Sequence, residues 1–229
     1  MLFRNTFPAL LLAGLTIGAA IPSRSFSFGG PALSRRTTTA ASQILQIAPT
    51  SNTCSGATYA DECETAAQAA PYLISAMQTY SITSAAEIAA LLSLVAYETG
   101  DFKYSTNHFP APGRPGQGTR NMQMATYNLL YAQSISALST QVAAITTATT
   151  TAGLSDDELN AIRALVLPDQ YSWASAAWFY TSQCSTSVRT QVQAGGQAGY
   201  EAYLGCVGTT ATSDRLAYWT RANTALGLS

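Results

Sequence analysis

Helix-start signals recur along this chain, whereas strand signals are almost absent. Ser84 and Glu87, and again Ser155 and Glu158, have the spacing of a capping box, in which a serine and a glutamate satisfy free N–H groups at the start of a helix. Apolar residues at helical spacing follow the first of these boxes. The pattern predicts an all-α fold in a single domain, with room for a small β-hairpin in the Pro/Gly-rich segment 102–119.

Further helices are predicted from composition and periodicity. Gly100 ends the helix that begins after Ser84, as a residue just past a helix C-terminus commonly does. The other predicted helices cover residues 64–80, 122–147, 156–167, 169–184, 187–194, 200–204 and 213–226.

The N-terminus has the parts of a secretory signal. Arg4 supplies positive charge and residues 7–20 form an apolar run that ends in small residues, so residues 1–20 are predicted to be a signal peptide. A membrane anchor is the alternative, but a spanning helix needs about 20 apolar residues. Residues 21–36 are rich in Ser, Gly and Pro and end in a dibasic pair, which predicts a disordered propeptide. The domain would then cover residues 37–229 of a secreted, extracellular protein.

Four cysteines in a chain with a secretory signal predict two disulfides, for which three connectivities exist. The pairs Cys54–Cys63 and Cys184–Cys206 close the shortest loops and are our prediction. Because His108 is the single histidine and no Cys-x-x-Cys pair occurs, no metal site is predicted, and no cofactor either.

Charge is sparse in the predicted domain. From Thr37 onward the sequence has seven basic and twelve acidic residues, a net charge of −5. This balance argues against nucleic acid or an anionic membrane as a partner. A surface rich in Ala, Ser, Thr, Gln and Tyr suits a neutral, hydroxyl-rich partner such as a polysaccharide, and we expect a monomer.

Glu98 is the carboxylate whose position is most informative. At 100° per residue it falls within the apolar arc of its helix, which aims it at the interior or at the wall of a cleft. Burial and the carbonyl end of the helix both favour its protonated form, as a general acid requires. The alternative is that Glu98 pairs with a buried arginine such as Arg120 or Arg215.

A loop rich in amides follows this helix and predicts a sugar-binding subsite. Amide side chains and aromatic rings can hold the polar groups and the faces of a sugar. The candidate binding residues are Tyr104, His108, Gln117, Arg120, Asn121, Gln123 and Tyr127.

These motifs resemble a known superfamily. Glu98-Thr-Gly, with Met122-Gln-Met-Ala-Thr after it, resembles signatures of goose-type lysozymes and lytic transglycosylases. The same glutamate resembles the catalytic acid of glycoside hydrolase family 19 chitinases. The segments that begin at Ser172 and Gly205 resemble the aromatic helix and the C-terminal run of those chitinases. The resemblance spans residues 84–228 and implies a lysozyme-like fold, as in secreted fungal muramidases.

The resemblance implies an enzyme, a glycoside hydrolase that cleaves β-1,4 bonds of peptidoglycan with Glu98 as catalytic acid. Family 19 enzymes carry a second carboxylate, for which Asp101, Asp156 or Asp169 would have to serve here, and Asp101 is our candidate. A chitinase or chitosanase activity is one alternative. The other is a cell-wall-binding or effector protein that has lost the chemistry.

Overall fold

The computed structural model describes residues 31–228, and side chains from residue 39 onward. The predicted signal peptide, residues 1–20, lies outside the described residues, as does the predicted propeptide up to residue 30. The first helix begins at Pro31, so it overlaps the segment 31–36 for which the sequence predicted no regular structure. The helix packs on the core through Ile44 and Ile47 near its C-terminal end, and it continues without a break from there to Pro31.

The described residues form an all-α fold, as predicted. The α-helices are α1 (Pro31–Ile47), α2 (Ala66–Thr79), α3 (Ala85–Glu98), α4 (Ala125–Ser134), α5 (Ser139–Ile145), α6 (Asp156–Val166), α7 (Asp169–Ser172), α8 (Ser175–Gln183), α9 (Thr186–Ala194), α10 (Gly196–Val207) and α11 (Ser213–Leu226). Short 3₁₀ turns cover Pro49–Asn52 and Ser136–Leu138. Within residues 31–228 the predicted hairpin is reduced to the isolated bridges Thr106–Gly118 and Gly118–Gln123.

Helix α3 lies at the centre of the fold because it is apolar on nearly every side. Leu91 and Leu94 pack into one buried cluster with residues of α4, α6 and α8 to α10. Leu92 and Val95 pack into a second cluster with α1, α2 and α11. A helix that is apolar all round belongs in the interior. Its C-terminus therefore brings Glu98 to the place where several elements meet.

One predicted capping box is present and the other is not. Ser155 accepts from the backbone N–H of Glu158, whose side chain reaches back to the Ser155 backbone. Ser84 makes no such bond. Glu87 is buried instead, and its carboxylate accepts hydrogen bonds from Tyr180 Oη and Gln193 Nε2, both at 2.9 Å. Tertiary partners thus replace the local bond that the spacing predicted.

The predicted helix over residues 122–147 is divided. Helix α4 ends at Ser134, a 3₁₀ turn follows, and α5 begins at Ser139. This break lets α4 and α5 both pack against α6.

Both predicted disulfides are confirmed. Cys54 bonds to Cys63 over a sequence separation of 9, and Cys184 bonds to Cys206 over 22. The second bond ties the end of α8 to the last turn of α10. In the described part of the chain no helix combines the length and the apolar character needed to cross a membrane.

Candidate functional site

A cleft of about 330 Å³ opens at the C-terminal end of α3. One side is polar and comes mainly from the loop 114–123, and the other side is apolar and comes from several helices. Glu98 from α3 and Arg215 from α11 lie in the same cleft. The residues that line it are Leu94, Glu98, Arg114, Gln117, Asn121, Met122, Gln123, Met124, Tyr127, Phe179, Val207, Gly208, Thr209 and Arg215.

Glu98 is ion-paired in this cleft. Its Oε1 accepts a hydrogen bond from Arg215 Nη2 at 3.0 Å, and 27% of its side chain is exposed. The Arg215 guanidinium also lies over the ring of Tyr97, at 4.5 Å from its centroid. The alternative considered from the sequence, that Glu98 pairs with an arginine, is therefore confirmed, and the partner is Arg215.

A chain of amides holds the polar wall in place. Asn121 donates to Gln123 Oε1 at 3.0 Å, and Gln123 donates to Asn128 Oδ1 at 2.9 Å. Asn128 then donates to the Gly116 carbonyl at 2.8 Å. These side chains are buried, and buried amides need such partners because unpaired polar groups are costly. Asn121 and Gln123 thus shape the wall as well as line it.

The turn at Gly116 allows this loop to lie close to α4 and α6. Its φ is +70°, and a Cβ there would lie 2.7 Å from the Cβ of Ala125 and 3.0 Å from that of Leu159. Any side chain at this position would push the loop away from both helices. The glycine therefore places Gln117, the next residue, on the cleft wall.

Two buried polar atoms of the cleft residues make no hydrogen bond within the described structure. They are the acceptor Gln117 Oε1 and the donor Arg215 Nε. The orientation of the Gln117 amide is fixed, because its Nε2 donates to the Met122 carbonyl at 2.9 Å. Since native proteins rarely leave buried polar groups unpaired, the residues that line the cleft hold one unused acceptor and one unused donor.

Asp101 is not part of the cleft. Its Oδ2 accepts from the backbone and hydroxyl of Thr50, at 2.9 and 2.8 Å, and its Oδ1 accepts from Tyr218 Oη at 2.7 Å. Gly100, Asp101 and Phe102 all have positive φ, so these hydrogen bonds stabilise an unusual turn after α3. The structure gives Asp101 a structural contact where the sequence predicted a second catalytic acid.

Tyr104 and His108 lie in a separate aromatic cluster. The His108 ring stacks on Tyr59 with centroids 3.6 Å apart, and Tyr104 meets both rings at wider angles. His108 Nε2 also lies 2.8 Å from Glu62 Oε1. Both residues therefore pack the loop, and the structure does not bring them to the cleft.

Arg120 lies behind the cleft wall in a buried network. Its side chain is 3% exposed, bonds to Glu64 at 2.9 Å and donates to the Phe102 and Tyr104 carbonyls, each at 3.2 Å. Its guanidinium lies 4.5 Å from the centroid of Trp173. Arg120 thus anchors the loop and does not face a ligand in the cleft.

Glu64 is the other acid of this network. Burial raises its pKa from 4.5 to about 7, helped by a hydrogen bond to Asp169 and by the charge of that residue, while Arg120 acts in the opposite direction. Trp173 donates its indole N–H to the same carboxyl group at 3.2 Å. Nothing in the sequence indicated that Glu64 is buried in this network, because no helical pattern precedes Glu64 and its partners come from distant segments.

The raised pKa of Glu64 predicts a pH dependence of stability. Because the folded state holds the proton more tightly than the unfolded chain, Glu64 contributes stability at low pH that is lost as pH rises from about 4.5 through about 7. We expect the free energy of unfolding of the wild type to fall by about 1–2 kcal/mol relative to Glu64→Gln over this range, less than the full shift because the carboxyl is partly exposed. Chemical denaturation at several pH values measures it. Glu201→Gln, at an exposed acid of α10, is the control, and an equal pH dependence for both variants would contradict the assignment.

The structure thus brings five of the predicted site residues together, namely Glu98, Gln117, Asn121, Gln123 and Tyr127. Sequence reasoning missed the apolar wall. Phe179 and Leu94 contribute to this wall without having been candidates, and Val207 lies at the end of a helix predicted to stop at Leu204. Helix α10 runs longer, and its last residue, Val207, lines the cleft that Arg215 also lines.

No metal-binding cluster occurs in the region that the structure describes, where no group of three His, Cys, Asp or Glu residues could hold an ion. The cysteines of this region are all in disulfides.

Fold and cleft together define the class of this chain as a disulfide-bonded, all-α domain with a cleft that is polar on one side and apolar on the other. No family model matches it, and no solved structure matches it. Among curated proteins it is similar to a "bifunctional dioxygenase (DOX)-epoxy alcohol synthase (EAS)" of Fusarium oxysporum (strain Fo5176), with 48% identity over 162 residues. The match covers 70% of this chain but 12% of the relative, so the chain spans about an eighth of that protein's length.

This similarity contradicts the resemblance inferred from short motifs. The relative is named for an oxygenase and a synthase, and no comparison finds a glycoside hydrolase. The predicted muramidase activity, the enzyme class and the polysaccharide partner are therefore wrong, and the alternatives of a chitinase or an inactive cell-wall-binding protein have no support. The physical reason is that such motifs describe a helix end and an amide-rich loop. Here Gln123 serves the packing of that loop.

Proposed function

We propose that this chain is a ligand-binding domain whose cleft holds an epoxy alcohol, a molecule with one hydroxyl and one epoxide oxygen on an otherwise apolar skeleton. The name of the relative supports this ligand class, since an epoxy alcohol is the product that the name describes. Because the chain corresponds to a small part of that protein, the proposal assigns binding and leaves the oxygenation chemistry to the remainder of such a protein.

The unpaired atoms of the cleft carry the proposal. Gln117 Oε1 can accept the proton of a hydroxyl, and Arg215 Nε can donate to an epoxide oxygen. Leaving such a buried group unpaired costs about 1–3 kcal/mol, which a ligand with both functions would recover. An alkane satisfies neither atom, and an epoxide without a hydroxyl has no donor for Gln117 Oε1.

The apolar wall suits the skeleton of the same ligand. Leu94 and Phe179 are buried side chains that also line the cleft, with Met122 and Met124 beside them. Methionine side chains adapt to irregular apolar shapes. The volume of about 330 Å³ lies within the usual range of small-molecule sites, about 300–1,000 Å³.

Contacts within the protein fix the orientation of Arg215 for a hydrogen bond to the epoxide oxygen. Its Nη2 is bound to Glu98, and its guanidinium rests on Tyr97, so the Nε donor keeps one direction. A group that is already ordered loses little entropy when a ligand binds. In this proposal Glu98 is a positioning residue for Arg215.

Gln117→Met should weaken the binding of an epoxy alcohol about 10-fold, because a hydrogen bond to a buried acceptor is worth about 1–1.5 kcal/mol. Isothermal titration calorimetry on the full chain measures this change. The probes are a long-chain epoxy alcohol, the same epoxide without the hydroxyl, and the same alcohol without the epoxide.

The control is Gln133→Met. Gln133 also donates to a backbone carbonyl, that of Ala148, at 2.9 Å, but it is exposed and lies outside the cleft. The epoxide without a hydroxyl should bind wild type and Gln117→Met equally, since the lost contact is the one to the hydroxyl. No binding of any probe, or equal losses for both variants, would refute the proposal.

A further inference from the structure

We propose that a second cavity, on the other side of α3, binds the aliphatic chain of a long-chain alcohol. The cavity measures about 490 Å³ and lies between α1, α2, α3 and the end of α11. It shares the helix α3 with the cleft but no lining residue, so this inference does not rest on the proposed function.

The inner surface of the cavity is aliphatic. Ile44, Leu73 and Leu92 are buried side chains of its floor, and Ile74 and Met77 stand half-buried on its wall. None of the described residues that line it is aromatic, so they offer no face for stacking a planar ligand. A flexible hydrocarbon chain is the occupant that such a surface favours, at about 25 cal/mol for each Å² of apolar surface removed from water.

The polar residues of the cavity are neutral and lie at its mouth. Gln78, Ser81 and Thr83 are exposed, and Gln43 donates through Nε2 to the Ala225 carbonyl, which leaves its Oε1 as an acceptor. Among the side chains that the structure describes, from residue 39 onward, no lysine or arginine lines the cavity, so none of them places a cation beside a carboxylate end. Amides and hydroxyls match a hydroxyl end instead. The charge pattern thus selects an alcohol over the acid of equal length.

Titration of the full chain with straight-chain primary alcohols of increasing length tests this inference. Affinity should rise about fourfold for each added methylene, the factor that corresponds to burying one CH₂ group, and should level off once the chain fills the cavity. Carboxylic acids of equal length should bind more weakly. An affinity independent of chain length, or a preference for the acids, would overturn the inference.

Ile74→Trp should lower the affinity for the best alcohol at least tenfold, because the larger ring fills the cavity from a half-buried position. Ala67→Trp, at an exposed position of the same helix, is the matched control and should bind as wild type does. Ile88→Phe narrows the cavity from the opposite wall and replaces Ile74→Trp if circular dichroism shows that the latter is unfolded. Wild-type affinity in both cavity variants would overturn the inference.

Discussion

Arg120→Met should lower the free energy of unfolding by about 3–5 kcal/mol. Arg120 is almost fully buried, and its removal leaves the Glu64 and Asp169 pair without its cation and the carbonyls of Phe102 and Tyr104 without a donor. Breaking a buried ion pair from one side is strongly destabilising, because the remaining carboxylate either keeps its desolvation cost or must take up a proton. Urea denaturation followed by circular dichroism measures the change.

Arg114→Met is the matched control for this prediction. Arg114 is exposed, and its guanidinium contacts only Met124 Sδ, at 3.9 Å, among the hydrogen bonds of the described residues. We expect a change below about 0.5 kcal/mol, as for ordinary surface substitutions. The Arg120 prediction would be wrong if both variants lost the same stability. Arg120→Lys should fall between them, because lysine keeps the charge but not the several directed donors of the guanidinium.

Replacing Cys184 and Cys206 together with alanine should cost about 3 kcal/mol of stability. A cross-link over 22 residues restricts the unfolded chain, and in the chain-entropy account a loop of this length contributes about 3 kcal/mol. The disulfide also joins α8 to α10, whose Val207 lines the cleft. We therefore expect weaker ligand binding along with the lower stability.

The pair Cys54 and Cys63 provides the comparison. Its loop spans 9 residues, so its removal should cost about 2.5 kcal/mol, and it lies away from the cleft. Denaturation midpoints of the two double variants, together with ligand titration at a temperature where both are folded, distinguish the effects. Equal loss of binding in both variants would contradict the link between the Cys184–Cys206 disulfide and the cleft.

Helical periodicity predicted the direction of Glu98 but not its partner. Helical periodicity predicted correctly that Glu98 faces inward, because the angular position of a residue depends only on its distance along the helix. Its partner, Arg215, is 117 residues away, and the sequence offered no reason to prefer Arg215 to Arg120 as that partner. Arg120 pairs with Glu64 instead, because the loop that contains Arg120 folds toward α2 and α7. Which acid meets which arginine depends on packing.

The predicted glycoside hydrolase activity was wrong because the motifs behind it are not specific to that activity. A glutamate at a helix end followed by a glycine turn, and an amide-rich loop, are arrangements that chains of unrelated activity can build. Similarity over 162 residues to a protein named as a dioxygenase–epoxy alcohol synthase carries more information than a few short motifs. Function follows from the chemistry of the site, and fold likeness alone does not supply it.

Spacing along the chain was enough to predict the all-α class, the Ser155 capping box, the last helix Ser213–Leu226 and the disulfide pairing. The signal peptide and secretion stay predictions. Three other features depend on contacts between distant segments: Asp101 stabilises a turn, Glu87 is buried against Tyr180, and Gln117 and Arg215 line one cleft. These outcomes join segments that are far apart in sequence, and such contacts form only where burial of α3 between two apolar clusters brings their helices together.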